Sequence, residues 1–509
     1  MTARDKIKTL AELAELAATA RNEGRKVVLC HGVFDLLHMG HVRHFEAAHS
    51  HGDVLIVTLT ADRFVNKGPG RPIFPELLRA EMVAALGYID WVGINHDSSA
   101  EPVLNTIMPD VYVKGSDYEN PEEDVTGKIV SERDTVERHG GRLVFTKDIT
   151  FSSSSLINKY LDVYDSPLRD YLEDFRQQGA GAEIAALIEK VKDYRVLLVG
   201  DTIIDEYQYV GPLGKSPKEN MIATLYREKE IFAGGVIAAA NHVANFCREV
   251  EVVTVLGEND SYEDLVRASV HPNVKLHILR RPNVPTTRKC RFVDPSYMRK
   301  LFEVYHMDDS YYGARIESQV ADLVAERAQD CDLTIITDFG HGLLTMPVID
   351  AATRNARFLA VNAQSNSANM GFNLITRYPR ADYICIDMPE IRLALGDRVT
   401  DVATLASETL PQRVACSRVM ITMGSHGCAA WQPEHGVHRI PAFTKTVIDT
   451  VGAGDAFLAV TSPLVAAGGR MDHVGFVGNA AGAIKVGIVG HRRSVEKPPL
   501  VKFITTLLK

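Results

Sequence analysis

The chain has 509 residues, too many for one ordinary hydrophobic core, so two or three domains are expected. Hydrophobic residues make up 46% and charged residues 24%, a globular composition. The net charge of -9 excludes a global basic field that would draw nucleic acid, so anionic substrates require local cationic pockets.

The N-terminal stretch is charged and carries a helical repeat at Leu10, Leu13, Leu16 and Ala17, with no apolar signal region. The longest apolar run, Ile231 to Phe246, is interrupted by Asn241, His242 and Asn245 and is too short and polar to span a bilayer. Seven cysteines are scattered without C-x-x-C spacing. Neither a disulfide framework nor a zinc site is expected, and a reducing cytoplasm fits best.

Lys26 to Cys30 reads as a buried strand that ends at Gly32-Val33-Phe34-Asp35-Leu36-Leu37-His38-Met39-Gly40-His41. A helix over Val42–His49 follows, then a strand at Val54–Leu59, a helix at Leu77–Leu86, and strands at Trp91–Ile94, Val111–Lys114 and Arg142–Thr146. This alternation predicts a parallel, doubly wound sheet over residues 1–161. Residues 162–190 read as a helical connector broken near Gly179. A second doubly wound domain over 191–509 opens with the strand Arg195–Gly200. An edge flap is expected at Tyr207–Arg227 and a helix at Gly234–Phe246. Further strands are expected at Val252–Leu256, Leu333–Thr337, Phe358–Asn362, Tyr383–Ile386 and Val419–Met423.

In open α/β sheets, ligands bind at the carboxyl ends of strands, where helix N-termini offer free N–H groups. His38 and His41 are three apart, so they face one way on a helical turn and can hold phosphates together. Gly40 lets a nucleotide approach the backbone. Near the other end, Asp449-Thr450-Val451-Gly452-Ala453-Gly454-Asp455 sets three small residues before an acid. Gly452, Ala453 and Gly454 can form an anion hole at a helix N-terminus. Asp455 can accept the proton of an attacking hydroxyl beside a transferring phosphoryl group.

The first segment resembles the cytidylyltransferase-like nucleotidyltransferase superfamily. Further matches follow at Lys67 with Arg71-Pro72, Asp90-Trp91-Val92, Pro109 to Tyr118, and Thr150 to Ser155. The resemblance implies a Rossmann-like domain. There Gly32, Phe34, Asp35 and Gly40 shape the nucleotide pocket, and His38, His41 and Lys67 act in catalysis. Lys114 neutralises phosphate, and Ser153 and Ser154 cap a helix beneath the nucleotide. The second segment resembles the ribokinase (PfkB) sugar kinases. That resemblance implies a ribokinase-like domain with a small β flap and Asp455 as base. It places Asp201, Asp205, Gly234, Gly235 and Asn241 at the sugar, and Thr422, Gly424 and Gly427 at the nucleotide. Asp387 and Glu390 stand at the Mg²⁺ site, where the family usually has Asn-x-x-Glu. Two further departures are Asn362-Ala363-Gln364-Ser365 in place of Asp-Pro-Lys-Gly, and His341 in place of a lysine.

The pair of domains is similar to the bifunctional heptose-phosphate kinase/adenylyltransferase family, in reversed order. That likeness implies ATP-dependent phosphorylation of a heptose 7-phosphate-like sugar phosphate and nucleotidyl transfer from ATP to a sugar 1-phosphate. It also implies Mg²⁺, no nucleic-acid or membrane partner, and a homo-oligomer. The alternative is a CTP-dependent cytidylyltransferase acting on a sugar or polyol phosphate, with a kinase-like domain of altered specificity or silent regulatory role.

Overall fold

Val27, Val28, Leu29 and Cys30 have no exposed surface, because a parallel strand between two helical layers buries both faces. Val28 and Cys30 pack with Phe45, Ala80 and Val83 on one side, and Val27 and Leu29 with Leu13, Val103 and Leu104 on the other. A computed structural model describes residues 2–65, 67–68, 70–116, 128–146, 158 and 164–509. Ser153 and Ser154 lie outside the described residues. The first sheet contains β1 (Val27–Gly32), β2 (Val54–Thr60), β3 (Trp91–Asn95), β4 (Val111–Gly115) and β5 (Arg142–Thr146). All pairings are parallel, in the order β3-β2-β1-β4-β5. Strand order reverses beside β1, which places a ligand crevice at its carboxyl end.

The second unit contains a nine-stranded sheet and a four-stranded flap. Its strands are β6 (Arg195–Gly200), β7 (Thr202–Lys215), β8 (Ile222–Gly235), β9 (Glu249–Asn259), β10 (Val274–Pro285), β11 (Arg288–Asp294), β12 (Arg299–His306), β13 (Leu333–Asp338), β14 (Leu359–Ala363), β15 (Tyr383–Asp387), β16 (Val419–Thr422), β17 (Cys428–Gln432) and β18 (Gly436–Ile440). The large sheet has the order β10-β9-β6-β13-β14-β15-β16-β17-β18 and the flap the order β12-β11-β7-β8. The large sheet is parallel from β10 to β16 and closes with two antiparallel strands. The expected flap at Tyr207–Arg227 is only half of this element. β11 and β12 supply the rest; each opens on an Arg-Lys pair and mixes charged with apolar residues, so neither reads as a continuous apolar run.

Residues 1–172 and 498–509 form one compact unit, and residues 173–497 form the other. The boundaries thus differ from the expected 161, 190 and 509. Much of the connector joins the second unit, because Ala180, Ile184 and Ile188 are buried and Phe175 stacks on Phe476 at 4.6 Å. The helix Lys497–Leu507 is shared out differently again: from Pro498 it belongs to the first unit.

Arg79, on the helix Glu76–Ala84, has no exposed surface. It donates to the carbonyls of Phe74, Val33 and Thr60 and to the Asp62 carboxylate, tying the turn after β1 to the end of β2. The chain has two tryptophans, and Trp91 lies in the first unit while Trp431 lies in the second. In a Trp431→Phe background, Arg79→Met will therefore destabilise the first unit by about 3 kcal/mol in urea unfolding followed by Trp91 fluorescence, because three partly buried carbonyls and Asp62 lose their donor. An unchanged midpoint would contradict this role.

Candidate active sites

His38 is the N-cap of the helix Met39–His49, and its Nδ1 accepts the Gly40 N–H at 3.1 Å. This bond leaves Nε2 as the protonated nitrogen. His41 stacks on His38 with ring centroids 3.9 Å apart. His38 Nε2 and His41 Nδ1 are buried with no hydrogen-bond partner among the described residues. Burial, followed by the neighbouring His38 and His44, pushes His41 down to about 3. Burial, followed by Lys67, also lowers His38. Both imidazoles are therefore neutral before a ligand arrives. Neutral ring nitrogens can bond to a ligand, and an imidazole gains basicity when negative charge stands beside it.

Phe34 holds a left-handed backbone at φ 48, and its ring meets His41 edge-on at 5.4 Å. Asp35 is buried; its Oδ1 accepts the Ile73 N–H at 2.7 Å, and Arg71 lies 3.6 Å from its Oδ2. Asp35 thus holds the segment around Arg71 to the turn after β1. Lys67 is partly buried, and desolvation followed by the charge of Lys502 lowers its ammonium to about 8. Lys114 stands near the end of β4 and is paired with Glu132 at 2.9 Å. Its charge is balanced inside the domain, which makes it a support for the sheet end.

The second unit holds a cleft of about 510 Å³, within the range of small-molecule sites. Gly452 is the N-cap of the helix Ala453–Ala466. Gly452, Ala453, Gly454 and Asp455 all line the cleft. The first N–H groups of a helix have no intrahelical acceptor, so this turn can receive an anion. Burial raises the Asp455 carboxyl to about 6, against the opposing pull of His491. Gln364 Nε2 donates to Asp455 Oδ1 at 3.5 Å. Thr422, Gly424, Gly427, Asp387, Glu390, Asp205 and Gly235 line the same cleft.

Two predicted substrate residues are elsewhere. Asp201 does not line this cleft: its buried carboxylate accepts the N–H groups of Phe339 at 3.1 Å and of His341 and Leu343 at 3.3 Å. It holds the loop after β13, and its carboxyl is raised to about 7 by burial and by Asp338. Asn241 is taken up by the Ser269 carbonyl and the His271 N–H, both at 2.8 Å. It lines a separate small cleft, so its role is to join the helix Val236–Ala244 to the turn before β10.

Sequence reasoning missed Lys289, Arg291 and His491, all of which line the main cleft. Lys289 and Arg291 alternate on β11, so a period-two reading of Arg288-Lys289-Cys290-Arg291 puts both on one face. Arg291 pairs with Asp205, and His491 lies 3.1 Å from the same carboxylate. Burial alone would raise Asp205, but these two partners hold its carboxyl well below the usual range. Lys289 is buried, with its ammonium 5.0 Å from the centre of the Tyr305 ring, and burial lowers it. It supplies a cation to a cleft from which His341, whose carbonyl accepts Tyr312 and whose N–H serves Asp201, is absent.

Residues 194–498 match the pfkB family carbohydrate kinases, and this span is more than half the chain. The chain belongs to the pfkB family. Residues 29–159 of this pfkB protein also match the Cytidylyltransferase-like family. The Bifunctional protein HldE of Geobacter metallireducens is 40% identical over 165 residues, 31% of this chain and 32% of that protein. The HldE of Alkalilimnicola ehrlichii is 42% identical over 137 residues, 26% of this chain and 27% of that protein. These matches span about a third or less of the length of the curated relatives. The order of transferase-like and kinase domains is the reverse of that in HldE. The solved phosphofructokinase-2 of Escherichia coli in complex with substrates and products aligns with a TM-score of 0.50 at 13% identity. It covers 62% of this chain and 100% of its own, a likeness of fold. No helix among the described residues is long and apolar enough to cross a membrane.

Gly234 permits the close approach of β8 to the Asp205 carboxylate: a Cβ there would overlap Asp205 Oδ2 and lie 3.0 Å from His491 Nε2. Gly234→Ala will displace both groups and lower sugar-dependent ADP release by about 10²-fold, the scale of a small misplacement at a reacting centre. Thermal unfolding of the same variant gives the control, and full activity would show that Asp205 needs no such placement.

Proposed function

We propose that this chain makes a nucleotide-activated sugar through two reactions, one in each unit. One observation carries the reading. Two phosphate sites stand in one polypeptide, each at strand carboxyl ends and helix N-termini, one with paired histidines and the other with an acid beside an anion hole.

In the kinase cleft, Asp455 accepts the proton of a sugar hydroxyl as its oxygen attacks the γ-phosphorus of ATP. The bond from that phosphorus to the bridging oxygen breaks, and ADP leaves. The N–H groups of the Gly452–Asp455 turn stabilise the charge on the phosphoryl oxygens. Asp205 binds substrate hydroxyls, held in place by Arg291 and His491. Lys289 and Arg291 favour a sugar that already carries a phosphate. Asp387 and Glu390 are hard oxygen donors on one turn of cleft wall, linked by a capping box, and fit a hydrated Mg²⁺. That ion would screen the ATP phosphates when bound.

In the transferase site, an oxygen of the sugar 1-phosphate attacks the α-phosphorus of a nucleoside triphosphate. The α–β bridging bond breaks and pyrophosphate leaves. His38, His41 and Lys67 bind and stabilise the phosphates, and no covalent nucleophile is needed. The HldE likeness favours ATP and a heptose phosphate. Mass analysis of products from each nucleoside triphosphate with a sugar 1-phosphate panel tests this. An ADP-sugar is expected, and a CDP-linked product would replace the adenylyl reading.

Asp455→Asn will lower sugar-dependent ADP release by about 10²–10⁴-fold and spare pyrophosphate release. His41→Ala will do the reverse. Equal loss of both activities in either variant would refute two separate sites. The pH profile gives a further check. Asp455 acts as a base only when ionised, and its carboxyl is raised to about 6. Kinase kcat/KM in the free enzyme will therefore fall about tenfold per pH unit below that value. A flat profile from pH 4.5 to 7.5 would remove Asp455 from the proton transfer.

A further inference from the structure

The His491 ring is wedged between two glycines of different elements. A Cβ at Gly234, near the end of β8, would lie 3.0 Å from His491 Nε2. A Cβ at Gly452, the N-cap of the helix Ala453–Ala466, would stand 2.6 Å from its Cε1 and 3.2 Å from its Nδ1. The Cε1–Nδ1 edge of the imidazole therefore faces the Gly452–Asp455 turn, and the Nε2 corner faces the flap. Gly452 has φ +73, so a side chain there would be strained as well as obstructed.

The two ring nitrogens stand in different surroundings. Nε2 lies 3.1 Å from Asp205 Oδ2, while the other oxygen of that carboxylate accepts from Arg291. A carboxylate only accepts, so Nε2 carries a hydrogen. Nδ1 is buried and has no hydrogen-bond partner among the described residues. The His491 side chain is 7% exposed and lines the main cleft. A buried polar atom without a partner costs free energy, which a bound group restores by bonding to it.

Two chemistries can meet Nδ1: a hydroxyl that donates to its lone pair, or an anion that accepts from it once it is protonated. The surroundings favour the anion. The first N–H groups of the helix Ala453–Ala466 have no intrahelical acceptor and stand beside the same ring edge. One negatively charged oxygen group satisfies these donors and Nδ1–H together. The imidazolium then stands between two anions, Asp205 and the bound group, an arrangement that favours the charged ring. Lys485 also approaches Gly452, but its ammonium donates to the carbonyls of Val451 and Gly490, and it does not line the cleft.

We propose that His491 is a catalytic residue of the second unit, its Nδ1–H donating to the phosphoryl group in transfer while its Nε2–H stays on Asp205. The proposal rests on the second unit being a sugar kinase. One proton enters the ring from solvent when the nucleotide binds, and it remains on Nδ1 through the step. The sugar hydroxyl proton passes to Asp455 and the new oxygen–phosphorus bond forms. The bond to the bridging oxygen breaks, and ADP leaves. One ring thus ties the carboxylate that orients the sugar to the turn that receives the phosphoryl group.

The two nitrogens can be removed one at a time. A glutamine amide reaches the place of Nε2 and an asparagine amide that of Nδ1, so the full chain is tested as His491→Gln and His491→Asn. Sugar-dependent ADP release gives kcat and the sugar KM. Calorimetry gives the affinities for ADP and for adenylyl imidodiphosphate, an ATP analogue that keeps a γ-phosphate. The first unit is identical in all three proteins, so any difference between them reads the second. His491→Gln should lower kcat about 10²-fold, the scale of one lost donor at a developing charge. It should weaken the analogue about tenfold, the scale of one charge-assisted bond, and leave ADP affinity and the sugar KM unchanged. His491→Asn should do the opposite, raising the sugar KM and sparing kcat and the analogue. A packing defect would instead move all four quantities together in both variants, and that result would overturn the proposal. So would a His491→Gln protein with full kcat and full affinity for the analogue. A rise in sugar KM alone in His491→Gln would give Nδ1 to a sugar hydroxyl and refute the phosphoryl contact. If the unaltered chain releases no ADP with any sugar phosphate, the kinase reading itself fails. The nucleotide titration then decides alone. Selective loss of the analogue in His491→Gln keeps Nδ1 at the phosphoryl group, whereas equal affinity in the two proteins, or no binding at all, removes it.

Discussion

The kinase cleft depends on one buried carboxylate that is not part of the chemistry. Asp449 Oδ1 accepts Lys300 at 2.7 Å and the Val451 N–H at 3.2 Å, while its Oδ2 accepts the Tyr207 hydroxyl at 2.6 Å and the Gly490 N–H at 2.8 Å. These four donors come from β12, the anion turn, β7 and the loop before His491. A single charge therefore registers the flap against the Gly452–Asp455 turn. Lys485 finishes the arrangement by donating to the carbonyls of Val451 and Gly490. The backbone N–H groups of the anion turn are useful only if the turn is held still, since a preorganised dipole does not have to reorient when charge develops.

The first unit reaches a comparable rigidity with the opposite charge. Arg79 spreads one guanidinium over three carbonyls and Asp62, and fixes the loop that presents Phe34 and the paired histidines. The histidines themselves are kept neutral by burial, which avoids repulsion between stacked rings in the free protein. An anion placed beside these rings would favour the cationic imidazole, so binding of one would be coupled to protonation.

Much of the fold was legible because the large parallel strands are short, continuous apolar runs, such as Val196 to Val199 and Leu359 to Val361. β11 and β12 were not, because one flap face is exposed and the strands read as Arg288-Lys289 and Arg299-Lys300. The same blindness hid Lys289 and Arg291. Motif residues with backbone roles, Gly452 to Gly454, were found where chain order predicts them. Asp201 and Asn241 were misplaced because an acid or amide near a site can serve its loops instead of its ligand, and only hydrogen-bond partners separate the two. Glu390 shows the reverse case: Asp387 replaces the usual amide, yet the pair still forms a capping box and lines the cleft.

The first unit is discontinuous, since residues 1–172 are joined by 498–509 and the whole second unit lies between them in the chain. Synthesis runs from the N-terminus, and domains fold as units while it proceeds. The kinase unit is thus fully translated before the last helix of the transferase unit exists. Until then the Gly68 surface lacks Phe503 and Asn158 lacks its carbonyl acceptor. The first unit therefore cannot be completed until the whole of the second has been translated, so its two parts meet late although most of it is made first.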